Sequence, residues 1–408
     1  MHPTPSSENP RPAGTGAPRA PRGRLLAVAV LLALCAAGPA RAGATFVRQW
    51  GGGGSGNGRF QGTHAVGFSP LFRIYVADEA SHRIQYFGMD GAYLGQWGAW
   101  GHGDNEIINP VCLAFQADGT VYVVERDNNR IHYFTPGGTH LGKWGTSGTG
   151  PGQFNLPSAA AFAPNGDLYV TDRMNHRVQY FGPTGAYRGS FGSYGGAAGQ
   201  FREPYGVAVS AAGVVYVSDS QNCRVQYFTA AGAYLGAWGS VGSGDGQFGN
   251  TSIYNNGPGH VTIDRDGFIT VADPNNNRLQ VFRPDGQFAG KYGGYGTGGG
   301  LFYFPNGVAC APGWQVYVAD EGNNLIQQVT WRTEAQPTIR VTAISRTPAG
   351  VEVEVEALPD RTSGVERSGD LVHWETVESA PRLNGLFQVQ DTAPPGPGPV
   401  FYRGVRAP

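Results

Sequence analysis

The chain has 408 residues, of which 65 are glycine, 12% are aromatic and only 14% are charged. Its formal net charge is −1 and only two of its basic residues are lysines, so no basic block marks a nucleic-acid site. Glycine supplies turns with positive φ and aromatic residues favour strands, so this composition predicts a turn-rich all-β protein. The length exceeds that of one ordinary core and predicts either two domains or a repeat array.

The N-terminus has the features of a targeting segment. Three arginines precede an apolar run over residues 25–37, and Ala40-Arg41-Ala42 then places small residues at a cleavage site. This is the order of a secretory signal peptide, predicted over residues 1–42, and the run is shorter than the roughly 20 residues of a spanning helix. An uncleaved anchor and a lipoprotein modified at Cys35 are the alternatives. We therefore predict a bacterial protein that is secreted or lies in the periplasm or cell envelope, with no membrane insertion after cleavage.

A short apolar strand ending in an acidic residue recurs six times, in steps of 47, 47, 47, 54 and 47 residues. The acidic residues are Asp78, Glu125, Asp172, Asp219, Asp273 and Asp320. An arginine follows five residues after each of them, except at Leu325 in the last unit. An aromatic residue followed by glycine recurs in the same frame at Trp50, Trp97, Trp144, Phe191, Trp238 and Tyr292. The body of the chain is therefore six copies of one unit.

Each unit divides into four short strands separated by Gly, Asn and Asp clusters. In the fourth unit these are residues 204–209, 215–219, 224–228 and 233–238. The first two strands are apolar at nearly every position, which indicates burial on both faces. Four strands at a period of 40 to 50 residues predict a six-bladed β-propeller, here over residues 45–334.

The two ends of the repeat region predict how the ring closes. The first aromatic-Gly element, residues 46–50, precedes every other strand, and the last unit ends at Thr330 without a fourth strand. We therefore predict that the N-terminal strand completes the sixth blade and removes its open edge.

The repeat resembles the NHL family. The matching motifs are Pro-x-Gly-Val-Ala-Val at 204–209, Tyr-Val-x-Asp-x-x-Asn-x-Arg-Val-Gln-Tyr-Phe, and Gly-x-Tyr-x-Gly-x-Trp-Gly. The resemblance covers about residues 45–332 and implies either a recognition ring or an enzyme. Some NHL propellers are amidating lyases that hold zinc on three channel histidines, and related six-bladed folds are calcium-dependent lactonases and esterases.

The acidic residue and the arginine five residues later are repeated in almost every blade, and we interpret them as structural. A carboxylate at the end of the second strand can accept backbone N–H groups across the turn, while Asn favours the turn conformation. The arginine can then pair with that carboxylate.

Function is expected where the repeats differ. The position after the proline that opens each inner strand, which borders the central channel, reads His64, Val111, Ser158, Tyr205, Gly259 and Asn306. The following position contains His260 in blade 5, and the seven extra residues of that blade fall within residues 250–256. The candidate ligand-binding residues are His64, Tyr205, Tyr254, Asn255, His260 and Asn306.

These positions support a catalytic site less than they support a binding site. The rim supplies two histidines rather than three zinc ligands, and no carboxylate cluster suited to calcium. His82, His132 and His176 lie at or beside turns, where we expect them to be exposed. We therefore assign no catalytic residue, metal or cofactor.

From residue 337 the repeat stops and a small β domain is predicted up to residue 408. Residues 339–344, 351–356 and 387–390 alternate apolar with polar, as half-buried antiparallel strands do. Residues 365–374, which end at Trp374, resemble short C-terminal domains of exported bacterial proteins. A small sandwich with Trp374 in its core is expected, and it could tether the propeller to the envelope or to polysaccharide.

The sequence thus predicts an exported, monomeric, non-catalytic scaffold that recognises a protein or glycan on the propeller rim. The alternative is a zinc- or calcium-dependent lyase or lactonase at the central channel.

Overall fold

A computed structural model describes residues 44–249 and 257–331, together with the backbone of six strands between residues 339 and 406. Residues 1–42, which carry the predicted signal peptide, lie outside the described residues, as do Tyr254, Asn255 and Trp374. Within the described residues, no helix combines the length and apolar character needed to cross a membrane.

Residues 44–249 and 257–331 form six antiparallel four-stranded sheets, as the repeat predicts. We name the strands of each sheet inner, second, third and outer. The inner strands, in blade order, are Thr63–Ser69, Pro110–Phe115, Pro157–Phe162, Pro204–Val209, Val261–Ile263 and Pro305–Ala311. The second strands are Arg73–Asp78, Val121–Glu125, Leu168–Asp172, Val215–Asp219, Ile269–Asp273 and Gln315–Asp320.

The third and outer strands complete each sheet. The third strands are Arg83–Phe87, Arg130–Phe134, Arg177–Phe181, Arg224–Phe228, Arg278–Phe282 and Leu325–Trp331. The outer strands of blades 1 to 5 are Tyr93–Trp97, His140–Trp144, Tyr187–Phe191, Tyr234–Trp238 and Phe288–Gly293. One-turn 3₁₀ helices join second to third strands at Glu79–Ser81, Arg173–Asn175, Ser220–Asn222, Pro274–Asn276 and Glu321–Asn323.

The six sheets close into a ring. Each inner strand contacts the inner strands of the preceding and following blades, and the inner strand of blade 6 contacts that of blade 1. The outer strand of blade 6 is the N-terminal strand Ala44–Gly51, which pairs antiparallel with Leu325–Trp331. The predicted closure by the N-terminal strand is therefore confirmed.

The second strands are buried along almost their whole length, which confirms that the blades pack face to face. Between blades, each connecting loop inserts one apolar side chain into the core, such as Phe154, Phe201 and Phe248, all fully buried. The position that opens each of these loops requires glycine. In the loop before blade 4, Gly192 has φ +98°, and a Cβ there would lie 2.5 Å from Cδ2 of Phe201. The repeated aromatic-Gly pair thus serves the packing of adjacent blades.

The repeated carboxylate organises one hydrogen-bonded cluster per blade. In blade 3, Asp172 is fully buried and accepts from Arg177 Nε at 2.8 Å and from the backbone N–H of Asn155 at 2.8 Å. The structural interpretation of this pair is confirmed. The expectation that the carboxylate accepts backbone N–H groups across the turn is wrong, because the N–H comes from the loop that enters the blade. Across the turn it is the side chain of Asn175 that donates.

The three turn histidines are less exposed than we expected from the sequence. His132 is completely buried, with Nδ1 2.8 Å from Glu125 and Nε2 2.7 Å from His140 Nδ1. It takes the place of the glutamine that contacts the repeat carboxylate in the other blades. His82 and His176 are half-buried in the left-handed conformation, and each accepts a backbone N–H at Nδ1. Their roles are structural.

After the propeller, six backbone strands form two three-stranded antiparallel sheets. One sheet has the order Ile339–Thr347, Gly350–Ala357, Gly385–Asp391 and the other Glu375–Ala380, Ser363–Ser368, Phe401–Arg406. The predicted sandwich packing stays a prediction.

Candidate functional site

The inner strands begin, and the second strands end, on one face of the ring, which the loops between blades also cross. At the centre of this face, four side chains from four blades meet. We call them the channel mouth: His64 of blade 1, Tyr205 of blade 4, His260 of blade 5 and Asn306 of blade 6. All four are predicted site residues, and the fold brings them together although Tyr205 and His64 lie 141 residues apart.

Tyr205 reaches across the channel to the opposite blade. Its hydroxyl lies 2.8 Å from Nε2 of His64, whose Nδ1 lies 3.1 Å from the carbonyl oxygen of Val111. Because a carbonyl only accepts, Nδ1 carries a proton, and in the tautomer protonated at Nδ1 alone Nε2 accepts the phenolic O–H. Burial raises the pKa of Tyr205, and the charge of Glu321 adds to that effect, so the phenol stays protonated and donates.

Asn306 completes the hydrogen-bonded network. Its Nδ2 donates to the Tyr205 hydroxyl oxygen at 3.0 Å and to Glu321 Oε2 at 3.0 Å. One side-chain amide thus connects the Tyr205–His64 pair to a carboxylate of blade 6. Glycine fits where the inner strands approach most closely, because a Cβ at Gly206 would lie 2.8 Å from the carbonyl oxygen of Gly259.

His260 borders this network without joining it. Its ring lies edge-on to Tyr205, with centroids 5.4 Å apart, and 5.9 Å from the ring of His64. Its Nε2 is buried and has no hydrogen-bond partner among the described residues. Burial, together with the nearby His64, lowers the pKa of His260 to about 3, so the ring is neutral at physiological pH.

A collar of partly exposed charges surrounds the mouth. Arg126 pairs with Glu79 of the preceding blade at 2.5 Å, and Arg173 pairs with Glu203 at 2.6 Å. The Arg173 guanidinium also lies 5.4 Å from the centroid of the Tyr205 ring. The collar consists of Glu79, Arg126, Arg173, Glu203 and Glu321.

The collar was not predicted from the sequence, although a signal was present. Four of its five residues, all except Glu203, occupy the position directly after the repeated acidic residue. That position reads Glu79, Arg126, Arg173, Ser220, Pro274 and Glu321 around the ring. It varies as strongly as the channel position and would have been found by the same comparison.

Two stretches of the chain, residues 154–181 and 201–228, match the sequence model of the NHL repeat. The chain contains NHL repeats. No curated protein matches its sequence significantly. The NHL resemblance seen in the motifs is therefore confirmed, and the two matching stretches lie in blades 3 and 4.

Solved structures show the same propeller fold at low sequence identity. A gluconolactonase from Xanthomonas campestris is 15% identical with a TM-score of 0.50, covering 68% of this chain and 88% of that one. Virginiamycin B lyase from Staphylococcus aureus is 14% identical with a TM-score of 0.46, covering 65% and 79%. At 15% identity the likeness to the gluconolactonase extends to the fold alone.

The mouth of the NHL propeller offers proton donors and acceptors. A phenolic O–H held on an imidazole nitrogen is an arrangement that can transfer a proton, and the unpaired Nε2 of His260 adds a donor or an acceptor, according to the tautomer of the ring. Among the described residues, no group of three or more His, Cys, Asp or Glu side chains is placed to hold a metal ion. Of the other predicted site residues, Tyr254 and Asn255 lie outside the described residues.

The buried His260 predicts a pH dependence of stability. Its folded-state pKa of about 3 lies below the ordinary value of 6.5, so on acidification the unfolded chain takes up the proton first. Stability is therefore lost as the pH falls from about 6.5 towards 3, by up to about 1.4 kcal/mol per pH unit. We expect His260→Leu to flatten this dependence in urea titrations between about pH 7 and 5. The exposed His102→Gln serves as the control, and equal slopes for wild type and His260→Leu would contradict the assignment.

Proposed function

We propose that the chain is an exported, non-catalytic recognition module whose ligand binds at the channel mouth. The observation that carries this proposal is the convergence of non-repeated polar side chains from four blades on one point of the ring. The repeated carboxylate clusters and the inter-blade phenylalanines already account for folding. Side chains that break the repeat are not needed for closure, and on a rigid scaffold such positions serve binding.

The electrostatics of the mouth indicate the chemistry of the ligand. Arg126 and Arg173 are each paired with a carboxylate. The collar therefore presents positively charged hydrogen-bond donors and negatively charged acceptors side by side. A nucleic acid or another polyanion finds no net positive surface here, in agreement with the formal charge of −1. We therefore propose a protein or glycan ligand met outside the cytoplasm, with the propeller acting as a monomer.

The test is retention of the purified chain on envelope and secreted fractions. We expect binding to be lost or weakened by at least about tenfold in Arg173→Gln, because the guanidinium bridges Glu203 and the Tyr205 ring at the mouth. The matched control is Arg188→Gln, which breaks a surface ion pair with Asp167 on an outer strand. A ligand that binds Arg173→Gln as tightly as wild type would place the site elsewhere.

A second function, acid–base catalysis at the same mouth, is favoured by one observation. The Tyr205 hydroxyl is held on His64 Nε2, and Nε2 of His260 is left without a partner beside it. This is the zinc- or calcium-dependent lyase or lactonase that the sequence leaves as the alternative. Turnover of a panel of lactones and esters, abolished in Tyr205→Phe while binding persists, would select the enzyme over the scaffold. Metal content and melting temperature with and without chelator would separate a metal-dependent reaction from a metal-free one.

A further inference from the structure

The loop that leads into blade 6, residues 293–304, carries an exposed apolar patch beside the mouth. We call this segment loop 6. Its Tyr295 is 73% exposed, Leu301 42% and Tyr303 47%. The two tyrosine rings meet edge to face at 5.5 Å, and Leu301 covers Gly296, where a Cβ would lie 2.6 Å from its Cδ1. The three side chains thus form one surface patch.

Leu301 is apolar at a position that is polar in the equivalent loops. The same position in the other five loops is polar, with Arg59, Glu106, Gln153, Gln200 and Gln247. In four of them the side-chain oxygen accepts a backbone N–H three residues earlier, as Gln153 does from Gly150 at 3.0 Å. Leucine cannot accept this hydrogen bond, and it exposes apolar surface instead. The exchange removes a hydrogen bond that four equivalent loops have and exposes apolar surface, which points to a use in binding.

Loop 6 also lacks a second anchor. In blade 3 the guanidinium of Arg177 holds the loop through the carbonyls of Gly150 and Gln153, at 2.9 and 3.0 Å. In blade 6 the equivalent residue is Leu325, and Gln327 holds the loop through Leu301 and Gly300. With fewer hydrogen bonds to the blade, loop 6 can adjust its shape to a partner more easily than its neighbours.

The patch is continuous with the channel mouth. The backbone N–H of Gly322 donates to the carbonyl of Tyr303 at 2.8 Å, and the adjacent Glu321 accepts from Asn306. A ligand seated at the mouth would therefore reach loop 6 by passing Glu321, the collar carboxylate of blade 6. The inference rests on the proposed function and specifies the class of ligand.

The chemistry of loop 6 fits a polypeptide. Residues 293–304 contain no charged side chain, which matches an uncharged apolar segment better than an anionic glycan or a nucleic acid. An aliphatic leucine offers no ring face for a sugar, and the face of one tyrosine ring is covered by the edge of the other. Tyrosine on a glycine-rich loop of a rigid scaffold is instead the composition by which antibodies bind proteins. We infer that the ligand is a protein that lays an apolar, uncharged segment across loop 6 while its polar groups bond at the mouth.

The test uses the full chain and a random-peptide phage library as the probe. Peptides enriched on wild type are synthesised and their Kd is compared with that for the triple variant Tyr295→Ser, Leu301→Gln, Tyr303→Asn. We expect the Kd to rise at least about tenfold. Folding should survive, because Gln at 301 restores the loop hydrogen bond found in three other blades. The control, Tyr234→Ser with Leu235→Gln, removes two side chains that are 42% and 48% exposed on an outer strand and should leave the Kd within about twofold.

Two results would overturn the inference. One is enrichment of the same peptides, with equal affinity, on wild type and on the triple variant. The other is binding of a neutral oligosaccharide or a phosphatidylcholine vesicle that the triple variant loses, which would assign the patch to a glycan or a membrane. If Arg173→Gln abolishes retention of the natural fraction while the triple variant does not, the mouth remains the site and only the polypeptide class is wrong.

Discussion

A chain that begins at Gly52 is expected to lose the cooperative fold of the propeller, whereas one that begins at Gly43 should keep it. The strand Ala44–Gly51 is the fourth strand of blade 6, in register from Ala44 opposite Trp331 to Gly51 opposite Leu325. Its removal exposes the backbone N–H and C=O groups of Leu325–Trp331 as an open edge, the kind of edge that pairs with other chains and aggregates.

The side chains of this strand add to the effect. Trp50 packs against Phe87 of blade 1 and Tyr317 of blade 6, with ring centroids 5.9 and 6.1 Å away. One residue thus bridges the first and last blades, and its loss opens the ring where the chain ends meet. We expect most of the shorter chain to be insoluble, and a synthetic peptide of residues 43–52 added during refolding to restore soluble protein. Cooperative unfolding of the Gly52 chain at the wild-type melting temperature would contradict closure by this strand.

Asp172→Ala is expected to destabilise the propeller by about 3–5 kcal/mol. The buried carboxylate accepts from the backbone of Asn155 and from the side chains of Asn175, Arg177 and Gln179. Alanine leaves the Arg177 guanidinium without its counter-ion and the part-buried backbone N–H of Asn155 without its acceptor, which costs more than the hydrogen bonds themselves. The free energy of unfolding from urea titrations measures the effect.

Two other variants serve as references for the loss of stability in Asp172→Ala. Arg177→Leu should cost less than Asp172→Ala, because blade 6 already combines an aspartate, Asp320, with Leu325. Asp285→Ala, on an exposed turn where the carboxylate accepts one backbone N–H, should cost under about 1 kcal/mol. A value for Asp172→Ala close to that of Asp285→Ala would show that the repeated carboxylate is not the organising group of the blade.

The fold was predictable because the repeat encodes it six times. Each aspartate, arginine and aromatic-Gly pair performs the same task in each blade, so one correct interpretation of the unit applies to the whole ring. Closure followed from the position of residues 46–50 before any other strand. What the repeat does not encode is an exchange within one blade, such as buried His132 in place of glutamine, because burial there depends on the longer Glu125 beside it.

The site was only partly predictable for a related reason. The channel positions identified His64, Tyr205, His260 and Asn306, but not that Tyr205 spans the ring to His64. That contact depends on side-chain reach and on the small residues Ser158 and Gly259 at the same level of the channel. The paired charges of the collar arise between neighbouring blades, and no pattern along the chain shows which arginine meets which carboxylate.

Hydrogen–deuterium exchange, recorded with and without the retained envelope or secreted fraction, tests the binding site most directly. We expect slower exchange of backbone amides around His64, Tyr205 and Asn306, on the face where the inner strands begin. Protection confined to the outer strands, or to residues 339–406, would contradict recognition at the channel mouth.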